Sequence, residues 1–189
     1  MTLAKDNPFA TDRILRVRYR PQGWTWEQLL ARLASLDYRA AIVGPKGHGK
    51  TTLLEDLGEK LRDVGWGVRH LRLSRERGAL SRASRHECFG TASRRDVILL
   101  DGAEQMSRLA WWDFLRRSRH AGGLVITSHR PGLLPTLVEC ETSVVLLRGI
   151  VDELAPGAGA NDELESLYAR HGGNLRDALR TLYDVHSAG

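Results

Sequence analysis

Gly44-Pro45-Lys46-Gly47-His48-Gly49-Lys50-Thr51-Thr52 carries the strongest structural signal in this chain. It satisfies G-x-x-x-x-G-K-[ST] at every fixed position. The run before it, Ala40-Ala41-Ile42-Val43, is apolar and is expected to be a buried strand. After it, Leu53, Leu54, Leu57 and Leu61 recur at helical spacing. Strand, glycine-rich turn and helix is the setting a phosphate-binding loop requires. Gly44, Gly47 and Gly49 can take backbone angles closed to other residues, so successive N–H groups can turn inward onto a phosphate. Pro45, Lys46, His48 and Thr52 complete the loop, and the following helix adds the positive end of its dipole. Lys50 is expected to reach the β- and γ-phosphates, and the Thr51 hydroxyl to ligate Mg²⁺. The stretch reads as a site for a nucleoside triphosphate.

Working outward, composition narrows the setting. The chain has 189 residues, enough for one domain with a small appendage. It carries 28 Lys and Arg against 23 Asp and Glu, a net charge of +5. That balance permits a polyanionic partner and equally suits an arginine-rich enzyme. Cys88 and Cys140 are far apart and in no C-x-x-C pair, which argues against structural zinc or a disulfide framework. Reduced thiols in the cytoplasm are the expectation. Met1 to Arg20 has no apolar core of signal-peptide length, and no run approaches a membrane span.

The chain falls into a lead-in and helix (residues 1–36), a nucleotide-binding domain (37–150) and a small helical lid (161–187). In the lead-in, Ile14, Val17 and Tyr19 suggest an extended piece. Thr25 is placed to cap a helix with Gln28 at the capping-box position, followed by Trp26, Leu29, Leu30, Leu33 and Leu36. The tryptophans here read as a packed apolar face or as neighbours of a base. Gly65-Trp66-Gly67 makes a turn into Val68–Leu73, whose alternation of apolar and basic residues fits a sheet-edge strand. From Arg75 to Arg95 the chain is rich in arginine, which reads as a solvated linker or as a basic surface for nucleic acid or another partner.

Val97-Ile98-Leu99-Leu100-Asp101 is the second anchor: a buried parallel strand with a carboxylate at its C-terminal tip, the edge where α/β sheets bind ligands. Asp101 is expected to hold Mg²⁺. Residue 102 is glycine, so Glu104 is the nearest carboxylate to orient an attacking water, or it faces solvent. Leu109 to Arg119 is expected to be a helix. Leu124-Val125-Ile126 is expected to be a strand leading into Thr127-Ser128-His129-Arg130-Pro131, where a polar side chain would touch the γ-phosphate or the water, or satisfy the turn. Val144-Val145-Leu146-Leu147 is expected to be a last short strand. Two helices follow, from about Asp162 to His171 and from Asn174 to Val185.

This order of elements resembles AAA+ ATPases, and more broadly the P-loop ATPases with an additional strand between the phosphate-loop strand and the aspartate strand. The resemblance spans about residues 36 to 186. It implies an α/β, three-layer P-loop NTPase with a central parallel sheet and a small C-terminal helical lid. Gly173-Asn174-Leu175-Arg176 is similar to the turn that opens the lid helix of that family, which implies that Arg176 is the sensor 2 arginine. Ser128 and His129 stand where the family's Thr-Asn-Arg-Pro places sensor 1. ATP and Mg²⁺ are the implied ligands, with Lys50, Glu104 and Arg176 as the catalytic set.

The function expected is an ATPase coupling Mg·ATP binding and hydrolysis to a conformational switch, with slow turnover consistent with the glycine at 102. The alternatives are a nucleotide-gated binding module with little turnover and a small-molecule P-loop kinase. A nucleic-acid or protein partner and oligomerisation both fit, with Arg130 or Arg119 as arginine-finger candidates. Neither the Leu-Ser-Gly-Gly of ABC proteins nor the Asn-Lys-x-Asp of GTPases is present.

Overall fold

The structure is a computed structural model describing residues 7–14, 17, 23–73, 88–158 and 160–188. The chain divides into two compact units. A sheet unit holds Pro21–Gly44 and Lys50–Glu139, and a helical unit holds Met1–Arg20, Pro45–Gly49 and Cys140–Gly189.

In the sheet unit five strands run parallel in the order β2-β3-β4-β1-β5. They are β1 (Arg39–Val43), β2 (Gly67–Arg72), β3 (Asp96–Asp101), β4 (Gly123–Ser128) and β5 (Thr136–Glu139). Strand β4 therefore separates the phosphate-loop strand β1 from the aspartate strand β3, and β2 forms the edge that its basic alternation predicts. Because β1, β3 and β4 are covered on both faces, they are apolar almost throughout rather than alternating.

One face carries Ala41, Val43, Leu71, Ile98, Leu100, Leu124 and Ile126, packed with Phe114, Trp111 and Leu115 of helix Arg108–Arg117. The other face receives helix α3 (Lys50–Asp63), whose buried Leu53, Leu54, Leu57 and Leu61 recur as the sequence predicts. At Gly58 the approach is so close that a Cβ would lie 2.8 Å from Leu99 Cδ1. Each fully buried leucine contributes about 1.5–3 kcal/mol, which makes this helix-on-sheet contact a main source of cohesion. Helix α2 (Trp26–Ser35) begins with the expected capping box: Thr25 Oγ1 accepts from Gln28 N at 3.2 Å, and Gln28 Oε1 accepts from Thr25 N at 2.9 Å. Leu29 and Leu33 form its buried side, and Arg32 donates to the Thr136 carbonyl of β5 at 3.1 Å. A turn before β3 is fixed by Asp96, whose carboxylate accepts from Ser93 N at 2.7 Å and Ser93 Oγ at 2.8 Å and faces Arg69 Nε at 3.5 Å. Burial opposes that charge, but these donors outweigh it and hold the Asp96 carboxyl below its usual range.

In the helical unit, a helical turn α1 (Thr11–Ile14) precedes three helices numbered on from α4 (Arg108–Arg117): α5 (Val144–Leu154), α6 (Asn161–Arg170) and α7 (Leu175–Ala188). Their shared core contains Phe9, Leu147, Val151, Leu164, Leu167, Leu175, Ala178 and Leu179. Asn7 ties the lead-in to α7, donating from Nδ2 to the Tyr183 carbonyl at 2.9 Å and to Ser187 Oγ at 2.8 Å.

Two sequence expectations are corrected. Val144–Leu147 is not a strand but the first turn of α5: Ser143 caps it, accepting from Leu146 N at 3.1 Å, and Leu147, Val151 and Leu154 continue the apolar pattern at helical spacing. The β-branched start of the run suggests a strand, and the cap together with burial of Leu147 and Val151 overrides it. The fifth strand is instead Thr136–Glu139, a short segment after Pro135. Ile14, expected in an extended piece, lies in a helical turn closed by Ile14 N→Ala10 O at 3.0 Å. Tyr19 and most of the arginine-rich stretch, including Arg75, Arg77, Arg82 and Arg85, lie outside the described residues.

Candidate nucleotide site

The sheet unit gathers the phosphate-loop helix, the β3 tip and the β4 tip at the C-terminal edge of the sheet. Lys50 opens α3; its side chain is pulled back, only 8% of the residue being exposed, and Nζ donates to the Gly44 carbonyl at 2.7 Å. The first turn of α3 contains no acidic residue, so the positive end of its dipole is not neutralised from within the helix. One residue on, Thr51 Oγ1 donates to Asp101 Oδ2 at 3.0 Å, joining positions fifty apart in sequence. These two oxygens come from the residues expected to ligate Mg²⁺, and a hydroxyl beside a carboxylate is a hard-oxygen donor set of the kind that ion takes.

Asp101 has further partners that sequence reading missed. Thr127 Oγ1 donates to Asp101 Oδ1 at 2.6 Å and accepts from Gly102 N at 2.8 Å. The arrangement depends on β4 lying beside β3, so that the hydroxyl at one tip reaches the carboxylate at the next. On the opposite side, register places Arg72 of β2 against Asp101, with Nε 3.3 Å from Oδ2. The signal for Thr127 is a polar residue ending an apolar strand, but only strand order selects it over Ser128. Ser128 turns its hydroxyl to the Arg130 carbonyl at 2.8 Å, within its own turn.

Glu104 and His129 come together. Glu104 lies in a 3-10 turn (Ala103–Gln105), and its Oε1 is 3.3 Å from His129 Nε2. Its Oε2 is buried and has no hydrogen-bond partner among the described residues. Gly102 enters this turn with φ +89, and a Cβ there would sit 2.5 Å from Gln105 Nε2. A side chain at 102 is therefore strained by its left-handed backbone, which accounts physically for the glycine. Arg130 is exposed beyond the β4 tip.

In the helical unit, the loop tip and the start of α7 meet. Gly47 has φ +83, and the space its Cβ would fill is taken by the Asn174 side-chain oxygen. Asn174 caps α7, accepting from Asp177 N at 3.2 Å and donating from Nδ2 to Asp177 Oδ2 at 2.6 Å. His48 Nδ1 lies 3.2 Å from the Cys140 carbonyl. Pro45 and Lys46 are exposed, Thr52 is half-buried, and Arg176 is exposed on the first turn of α7. Gly49, with φ +77, takes a left-handed conformation immediately before α3.

A parallel α/β sheet with its phosphate-loop strand and aspartate strand separated by one further strand is a P-loop NTPase-like fold. Solved structures with the same fold include a threonine-to-valine variant of Thermotoga maritima RuvB, at 19% identity and TM-score 0.56, covering 85% of this chain and 60% of that one. A lysine-to-arginine mutant of the same protein matches at 17% identity and TM-score 0.57, covering 90% and 65%. A DNA replication initiation factor matches at 16% identity and TM-score 0.62, covering 91% and 63%. The chain thus spans under two thirds of the length of each of these structures. No family model matches the chain, and no curated protein matches it. These likenesses establish the fold, a parallel α/β sheet of the P-loop NTPase kind. Among the described residues, no helix is long and apolar enough to cross a membrane.

Proposed function

We propose that this chain binds Mg·ATP and hydrolyses it, using the nucleotide state to switch its affinity for a nucleic-acid or protein partner. The observation that carries the reading is the Thr51–Asp101–Thr127 constellation at the mouth of the phosphate loop. Mg²⁺, held by Thr51 and Asp101, would neutralise charge on the phosphates. Lys50 exchanges its bond to the Gly44 carbonyl for phosphate oxygens. Glu104 Oε2, the acceptor with no partner among the described residues, takes the proton of the attacking water while His129 steadies Oε1. Water oxygen bonds to the γ-phosphorus, the bond to the β,γ-bridging oxygen breaks, and ADP leaves with the electron pair. Arg176 and the polar pair Ser128 and His129 keep their proposed roles as sensors of the γ-phosphate, and residues 161–187 are proposed as the lid.

A second reading, a nucleotide-gated module with little turnover, is favoured by one observation. Gly102 stands where a carboxylate would directly follow the aspartate, and the carboxylate that is available, Glu104, is already engaged by His129. Phosphate release and fluorescent-ATP binding by wild type, Glu104→Gln and Lys50→Ala separate the two. Under the ATPase reading, Glu104→Gln binds nucleotide normally and loses turnover by about 10²–10⁴-fold, the usual contribution of a general base. Lys50→Ala loses binding. ATP bound by wild type with no phosphate released would reject hydrolysis and leave the binding module.

A further inference from the structure

Helix α4 has two sides, and the sheet unit uses only one. Trp111, Phe114 and Leu115 face the core, with the Trp111 and Phe114 rings stacked at 6.0 Å and an interplanar angle of 11°. The outer side carries Leu109, 83% exposed, and Trp112, 67% exposed, which are two of the large apolar side chains the core leaves in solvent. They do not stand among neutral residues. Arg108 and Leu109 stand four and three residues before Trp112, and Arg116 four residues after it, so all three flank Trp112 on one side of the helix, and Arg119 follows just past the helix end.

Two of the charges beside Trp112, Arg108 and Arg119, are not explained by the helix. Arg108 occupies the first helical position, at the positive end of the dipole, where a cation is unfavourable and an anion would be favoured. Asp113, the acidic residue of the helix, is taken up by Arg117 at 2.7 Å and Arg116 at 3.8 Å. Arg108 and Arg119 have no acidic partner among the described residues. An exposed indole flanked one turn away on either side by guanidinium groups matches what an unpaired strand offers: a base face to stack on and phosphates on both flanks. Arg108 and Arg116 stand about 12 Å apart along the helix, or roughly three to four nucleotides of a stacked strand.

We infer that the outer face of α4 is a docking surface for single-stranded nucleic acid, with Trp112 as the stacking platform and Arg108, Arg116 and Arg119 as phosphate contacts. A protein partner would suit Leu109 and Trp112 but would leave Arg108 and Arg119 to be matched by carboxylates, and Arg116 has only the 3.8 Å contact with Asp113. A phosphodiester strand satisfies both halves of the surface with one repeating chemistry. The inference concerns α4 alone and is independent of whether ATP is hydrolysed.

The test is fluorescence anisotropy of a labelled oligo(dT) of about twelve nucleotides, within the usual site sizes, titrated with the whole chain without nucleotide. Trp112→Ala is expected to weaken binding about tenfold or more, and Trp112→Phe to stay within about threefold of wild type, because a phenyl ring still stacks. The slope of log K against log salt is expected to be about −2 for three phosphate contacts, falling by about 0.7 for each of Arg108→Glu and Arg119→Glu. Inorganic polyphosphate, which has charge but no bases, should be indifferent to Trp112→Ala. Equal binding by wild type and Trp112→Ala would overturn the proposal, as would tighter binding of blunt duplex. If size-exclusion shows wild type self-associating and Trp112→Ala monomeric, with no oligonucleotide bound, the face is a protein interface and the proposal fails. All of these residues are exposed, so the variants should keep wild-type circular dichroism.

Discussion

Replacing Thr127 with valine keeps the size of the side chain and removes one oxygen, and that oxygen joins two elements of the site. Thr127 is 1% exposed; its hydroxyl donates to Asp101 Oδ1 at 2.6 Å and accepts from Gly102 N at 2.8 Å. In the variant the Gly102 N–H is buried without an acceptor, a loss of about 1–3 kcal/mol, and the carboxylate loses a bond worth about 1.5–3 kcal/mol. The two losses share one hydroxyl and are not fully additive, so the expected destabilisation is about 2–4 kcal/mol, a large part of a net stability of about 5–15 kcal/mol. Urea unfolding followed by far-UV circular dichroism measures it, with Thr127→Ser as the control that keeps the hydroxyl and loses only a methyl. The expected order is wild type, then serine close behind, then valine well below. A valine variant within about 0.5 kcal/mol of wild type, the usual range for inconsequential substitutions, would refute the claim that Thr127 fixes Asp101. So would a serine variant as unstable as the valine.

Two further predictions concern other parts of the molecule. Gly47→Ala forces a side chain into a left-handed conformation and into the Asn174 oxygen, so it should destabilise the protein by about 1–3 kcal/mol. In a double-mutant cycle Asn174→Ala should cost less in the Gly47→Ala background than in wild type, and strict additivity would show that the two positions do not touch. His70 is exposed at the sheet edge, but one side of its ring lies against Gly58, where a Cβ would come 2.8 Å from its Nε2; that partial desolvation, and secondarily Arg62, lower its pKa. A histidine depressed in the fold binds fewer protons there than in the unfolded chain, so stability should be intact at neutral pH and fall as pH drops through about 6.5 and below. His70→Gln should flatten that part of the stability–pH curve between about pH 7 and 5, and identical curves for the two proteins would remove the assignment.

How much of this is legible in the sequence depends on whether the signal is local. Gly44–Thr52 and Val97–Asp101 announce themselves because backbone angles, strand burial and a terminal carboxylate are encoded within a few consecutive residues. Thr25 and Gln28 announce a helix start for the same reason. Val144–Leu147 misleads because four consecutive apolar residues fit a buried strand and a helix turn equally well, and only packing against Phe9, Leu164 and Ala178 decides between them. Thr136–Glu139 escapes a sequence reading because it is four residues long and takes its identity from pairing with β1.

Local signals in the chain suffice to show that a glycine-rich loop of phosphate-binding pattern opens a helix, that an aspartate ends a buried strand, and that no carboxylate stands at 102. Tertiary structure alone decided that β4 lies between them, and therefore that Thr127 rather than Ser128 holds Asp101 and that His129 meets Glu104. It also decided that Trp111 is core and its neighbour Trp112 is surface. The physical reason is the same in each case. Strand order and helix rotation are set by burial summed over the whole sheet, a quantity that no short stretch of sequence contains.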